Sequence, residues 1–136
     1  MKFKSRLILL ICLASIVAKA QDPIKGKKFI AELGVSCRKT TTGGFMTYSY
    51  ASLYFFKDSV KVSYYSKRSD NKAFDGMGAS EKTYKYSVLQ DSVKIYDFSN
   101  YDLFKVQKGA LMGLRLSNGN FINQTLFKEF ITETVN

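Results

Sequence analysis

The side chains of this chain that could do chemistry are phenols, carboxylates and one thiol; imidazole is missing, because there is no histidine. Histidine is the commonest general base and metal ligand, so triads, cysteine–histidine dyads and zinc sites built on it are excluded. Cys37 has Arg38 and Lys39 beside it, which would favour its thiolate. The same thiol also suits a small, half-buried packing position at a strand end, and that reading is preferred. A carboxylate pair could act on a glycosidic bond, but no two acidic residues fall on one inward strand face. The run Asp97-Phe98-Ser99-Asn100-Tyr101-Asp102 places oxygens at alternate positions, without the central glycine and distal glutamate of a calcium loop. Gly76-Met77-Gly78 lacks a following helix and lysine, so it is a loop and no phosphate cradle. Asn123-Gln124-Thr125 matches a glycosylation acceptor in the middle of a strand, where chance accounts for it. No catalytic residues, metal site or cofactor are expected, and the protein is read as a non-enzyme.

Tyrosine is what remains. Of nine tyrosines, strand alternation puts Tyr64, Tyr84 and Tyr86 on the inward face, with Asn123 and Thr125. Inward tyrosines are either core residues whose hydroxyls find a backbone partner or the wall of a cavity offering rings and a few polar tips. The core reading is the commoner one; if the residues line a cavity instead, the candidate ligand-binding set is Tyr64, Tyr84, Tyr86 and Asn123, for a small and mostly apolar ligand. Tyr48, Tyr50, Tyr54, Tyr65 and Tyr96 face outward with Lys61 and Lys94, a surface able to stack on sugars or bases. That face motivates the alternative reading, a structural or interaction protein of the cell envelope meeting an envelope protein or an anionic glycan. Export and a modest positive charge argue against nucleic acid.

The elements that must position these residues are strands. Tyr, Phe, Val, Ile and Thr dominate, there is one proline, and turn residues recur at short intervals. Strands are expected at 27–36, 45–56, 59–66, 82–89, 92–96, 103–106, 110–116 and 120–127. Asp58-Ser59-Val60-Lys61-Val62 recurs as Asp91-Ser92-Val93-Lys94-Ile95. Two-residue turns at Lys57-Asp58 and Gln90-Asp91 then pair Phe55 with Val60, Leu53 with Val62, Ala51 with Tyr64, Val88 with Val93 and Tyr86 with Ile95, like with like. A two-residue turn at Lys108-Gly109 would set Lys105 against Met112. A three-residue loop with left-handed Gly109 instead pairs Val106 with Ala110 and Phe104 with Met112. The inward row then continues through Leu114 and Leu116, round the Asn118-Gly119 turn to Phe121, Asn123, Thr125 and Phe127. Expected inside are Leu53, Phe55, Val60, Val62, Tyr86, Val88, Val93, Ile95, Val106, Met112, Leu114 and Phe121. Two longer connections, 37–44 and 67–80, leave from one end and would frame a mouth.

The first twenty residues have the order of a secretory signal peptide: Lys2, Lys4 and Arg6, an apolar run over 7–17, then Ala18-Lys19-Ala20. That run of about 11 residues falls short of the roughly 20 that cross a bilayer, so no transmembrane anchor is expected. Cleavage after Ala20 gives a signal segment 1–20 and one domain, 21–136, in the periplasm or outside the cell. It removes Cys12, leaving Cys37 with no internal disulfide partner. The mature part keeps 17 basic against 11 acidic side chains, a net of about +6.

The pattern resembles a lipocalin-like family of small exported bacterial proteins. The similar pieces are Ile24-Lys25-Gly26-Lys27, the Leu53-x-Phe55-x-x-Asp58-Ser59-Val60 hairpin, Tyr84-x-Tyr86-x-Val88-x-x-Asp91-x-Val93-x-Ile95, and a last strand ending Phe127-Lys128. Where that family often carries Trp, two residues after the first-strand glycine, this chain has Lys28. The resemblance implies an all-β fold, an eight-stranded antiparallel up-and-down barrel able to hold a small apolar ligand. The strand–Asp turn–strand rhythm is also similar to the META domain, whose Gly-Cys-Asn segment is replaced here by Gly78-Ala79-Ser80.

Intact-mass spectrometry of protein from its own host is expected to show a chain beginning at Gln21. A retained 1–20 segment overturns the signal reading.

Overall fold

The computed structural model describes residues 22–71 and 79–132, the side chain of Asn123 excepted. The signal segment 1–20 and Gly76-Met77-Gly78 lie outside the described residues. Eight strands run β1 (Lys28–Thr40), β2 (Gly43–Phe55), β3 (Ser59–Arg68), β4 (Ser80–Leu89), β5 (Ser92–Ile95), β6 (Leu103–Gln107), β7 (Ala110–Ser117) and β8 (Asn120–Glu129). Each pairs antiparallel with the next, and β1 meets β8, closing an up-and-down barrel. Closure rests on two rungs, Phe29 opposite Glu129 and Ile30 opposite Lys128.

Alternation explains the first hairpins. Phe55, Leu53 and Ala51 face Val60, Val62 and Tyr64 across β2–β3, and Tyr86 and Val88 face Ile95 and Val93 across β4–β5, as expected. One apolar face and one polar face leave a single register that buries both apolar rows. The Asn118-Gly119 turn has both residues left-handed, φ 52° and 78°, the geometry of a type I′ hairpin.

The β6–β7 hairpin departs from expectation. Lys108-Gly109 makes the two-residue turn: Gln107 faces Ala110, Lys105 faces Met112, Val106 faces Leu111 and Phe104 faces Gly113. The inward row of β7 is Leu111 and Gly113, while Met112 and Leu114 take the other face. Leu114 is nonetheless buried, opposite Leu103. The position facing Phe104 has room only for a glycine. A Cβ on Gly113 would lie 2.9 and 3.0 Å from ring carbons of Tyr101 and 3.2 Å from the Phe104 ring. Phe121 also leaves the interior, at 46% exposed, because a register shift between Arg115 and Leu116 sets it opposite Leu116 beside the turn.

Segment 37–44 is a further correction. It continues β1 and β2 as a ladder from Cys37 opposite Met46 to Thr40 opposite Gly43, and the Thr40 hydroxyl donates to the Gly43 carbonyl at 2.6 Å. β-Branched threonines favour strand, and Gly43 (φ 132°) supplies the conformation the Thr41-Thr42 turn needs. Cys37 is therefore exposed within a strand, where a half-buried strand end was expected.

At the end carrying the Asp turns, residues 22–27 fold beneath the barrel. The Gly26 amide donates to the Phe55 carbonyl (2.9 Å) and the Lys27 amide to the Ile24 carbonyl (3.0 Å). Ile24 is fully buried there and joins a core of Phe29, Leu53, Phe55, Val60, Val62, Val93, Phe104, Leu111 and Phe127. The floor is thus closed by Ile24 with Phe29 and Phe55. Phe98 and Tyr101, from the connection between β5 and β6, complete the core.

Gly113→Ala is expected to cost about 1–3 kcal/mol by forcing the rings aside. Gly34→Ala, with nothing within 4 Å of a new Cβ, should stay within about 0.5 kcal/mol. Urea unfolding of both variants checks the contrast.

Candidate functional site

Register places the inward residues in levels. Above the filled core, Ala31, Ala51 and Tyr64 share one level. Gly34, Ser49 and Ser66 share the next, and Ser36, Thr47 and Arg68 the one nearest the rim. The interior therefore changes from rings to small side chains to hydroxyls toward the end where β1–β2 and β3–β4 connect. Residues 37–44, as a hairpin, and the described parts of the second connection, 67–71 and 79–80, lie at this one end; residues 72–78 are outside the described residues.

Two groups define the rim. The Arg68 guanidinium lies 3.6 Å from the Phe45 ring centroid and donates to Asp70 from Nε (2.9 Å) and Nη2 (2.6 Å), a bidentate pair. Below it, Thr47 is buried, and its Oγ1 is the one buried side-chain polar atom without a hydrogen-bond partner among the described residues. Such a hydroxyl costs about 1–3 kcal/mol until something engages it. Nearby, the Ser49 and Ser66 hydroxyls sit 3.4 Å apart.

Tyr64 and Tyr84 come together in a cleft of about 290 Å³, which Val62, Ser80, Glu81 and Lys82 also line. The Tyr64 hydroxyl accepts a hydrogen bond from the Asn100 amide, leaving its own proton to donate. Burial raises its pKa, against which the Asn100 bond acts, so it is a neutral donor at ordinary pH. The Tyr84 ring packs against Phe98 at 5.2 Å, and Lys82 Nζ lies 5.1 Å from the Tyr84 ring centroid.

Tyr86 belongs elsewhere. Its hydroxyl donates to the Phe56 carbonyl at 2.7 Å, and its ring meets Phe55 edge-on at 5.0 Å. It lines a separate hollow with Asp22, Lys57 and Asp58 at the closed end. It is the tyrosine with a backbone partner, a structural pin. Asn123 stands opposite Arg115 in β8, its side chain outside the described residues, and Thr125 accepts from the Tyr101 hydroxyl at 2.9 Å. Alternation found Tyr64 and Tyr84 but missed Thr47 and Asn100. Thr47 was readable by continuing the row Ala51, Ser49 inward; Asn100 lies in a connection, where no period applies. Asp102 braces β7 by accepting from the Leu116 amide at 2.6 Å.

No protein-family model, curated protein or solved structure matches this chain.

Burial lifts the Tyr86 phenol from 10 to about 12, with smaller contributions from Asp22 and Asp58. A folded-state value above the unfolded one favours the protonated native state. Stability from this group is complete below pH 10 and is lost as pH rises to about 12. Tyr86→Phe should be less stable at pH 8 by about 1 kcal/mol and show a shallower decline above pH 10. Thermal melts across that range check it.

Proposed function

We propose that this protein is an exported, non-catalytic binding protein of lipocalin-like type, holding a small, mostly apolar ligand in the upper half of its barrel. The Tyr64–Tyr84 cleft carries the reading. It lies above the packed aromatic core, toward the end where β1–β2 and β3–β4 connect. Val62 and the two rings supply apolar surface, at about 25 cal/mol per Å² removed from water. The Tyr64 O–H and Ser80 offer polar contacts that set orientation. The unpartnered Thr47 hydroxyl, two levels higher, marks the same side of the interior as able to engage a polar atom. Of the four residues named from sequence, Tyr64 and Tyr84 form the site, Asn123 is on the opposite wall, and Tyr86 supports the floor.

Native mass spectrometry of protein purified gently from its host tests this without a guess about the ligand. The expected result is a co-purified mass that is lost in Tyr84→Ala and retained in Tyr86→Phe, with circular dichroism unchanged in both. A bare protein mass throughout overturns the proposal.

A further inference from the structure

The outer face of the same strands carries a second concavity. Its rungs along β2–β3 are Tyr50 opposite Tyr65, Ser52 opposite Ser63 and Tyr54 opposite Lys61, a large–small–large sequence on the face away from Ala51, Leu53 and Phe55. Although they point outward, Ser52 and Ser63 are only 4% and 8% exposed, because the flanking rings rise around them. The result is a groove of about 370 Å³ lined by Lys28, Ser52, Tyr54, Lys61, Tyr65 and Glu81, among others. At roughly 3.4 Å per residue the two large rungs stand about 14 Å apart, enough for one sugar ring against a tyrosine face at about 3.5–4 Å.

We propose that this groove binds a short acidic glycan, one uronic acid residue lying between Tyr54 and Tyr65. The chemistry selects that class. A pyranose ring has an apolar C–H face, which packs on an aromatic ring, and an edge of hydroxyls that each donate and accept. The groove offers both. Tyr54 and Tyr65 are the flat surfaces, and Tyr65 is held in place by stacking on Tyr50 at 5.4 Å. Glu81 is an acceptor, fixed by the Ser63 hydroxyl at 3.1 Å and by Lys61 at 3.6 Å. Lys28 lies over the Phe130 ring at 5.4 Å and has no carboxylate partner among the described residues, so one ammonium is left for one sugar carboxylate. A simple polyanion would use the lysines but meet Glu81 as a like charge; a purely apolar ligand would leave the serines and Glu81 without a role.

Isothermal titration of the mature chain with tetragalacturonate tests the proposal, alongside its methyl ester and inorganic tripolyphosphate. Tetragalacturonate is expected to bind, with Tyr54→Ala and Tyr65→Ala each weakening it about tenfold or more, as loss of a stacking face does. Lys28→Gln, and the methyl ester on unaltered protein, should weaken it up to about fivefold, the range of an exposed ion pair. Tyr96→Ala, outside the groove, and Tyr84→Ala, in the barrel cleft, should leave it unchanged. The proposal is overturned if tetragalacturonate does not bind at millimolar concentration, or if tripolyphosphate displaces it equally well. It fails too if both groove tyrosine variants keep full affinity with an unchanged circular dichroism spectrum, or if the methyl ester binds as tightly as the acid. None of these outcomes depends on whether the barrel holds a ligand.

Discussion

The contact on which the rest of this barrel depends is the seating of Phe104 opposite Gly113. Phe104 packs on Tyr101 at 5.2 Å, Phe127 at 5.8 Å and Phe98 at 6.4 Å. It thereby joins β6, β8 and the connection between β5 and β6 into one aromatic cluster. Such pairs add about 0.5–1.5 kcal/mol each beyond the area they bury. The glycine is essential to this because the cluster occupies the space where its side chain would be. Once the 96–102 connection is drawn inward to supply Phe98 and Tyr101, the middle of the barrel is full. Asn100 is carried up to Tyr64 and the Tyr84 ring rests on Phe98. The Tyr64–Tyr84 cleft lies above this plug.

Which parts of this were readable in the sequence follows from how many faces of each strand are apolar. In the halves of β2, β3, β4 and β5 next to the Asp turns one face is apolar and the other carries Ser and Lys, so a one-residue slip would bury charge, and the registers there could be read residue by residue. In β7 the run Ala110-Leu111-Met112-Gly113-Leu114 is apolar on both faces, and either parity satisfies the pattern. The choice there is made by the rings packed over Gly113, and such packing belongs to three dimensions. Phe98 and Tyr101 were hidden for a related reason: a connection has no period to read, so two core aromatics looked like loop residues. Segment 37–44 shows the opposite error, with Thr and Gly suggesting a loop where β-branched threonines and one left-handed glycine extend a hairpin. For the site, alternation was enough to orient Tyr64, Tyr84 and Tyr86 inward. It could not tell that Tyr86 would be held by the Phe56 carbonyl.

The two concavities lie on opposite faces of one part of the sheet. The inner one runs between β3 and β4, from Val62 and Tyr64 to Lys82 and Tyr84. The outer one lies over Ser52 and Ser63, whose small side chains leave room between Tyr54 and Tyr65. The large neighbours one rung away become walls. The two hollows differ in chemistry because the walls differ. The inner one is bounded by a packed aromatic core and by hydroxyls nearer the rim, the outer one by paired charges in solvent.

The same levels show where the barrel's closing ladder is short. β1 keeps β8 as a partner only as far as Ile30, and a bulge between Glu32 and Gly34 then turns it away, with every residue from Glu32 to Thr40 exposed. Leu33 and Val35 on one lip and Phe121, Ile122 and Leu126 on the other are exposed, flanking the seam. Local opening costs least where the fewest ladder bonds and buried contacts must be broken. That condition holds along the upper β1–β8 seam and nowhere near the floor, where Ile24, Phe29 and Phe55 are fully packed. Bulges and charges on an edge, here Arg38 and Lys39 beyond the bulge, are the usual protection against unwanted strand pairing. The exposed upper part of this seam and the packed aromatic cluster thus lie in different halves of one sheet.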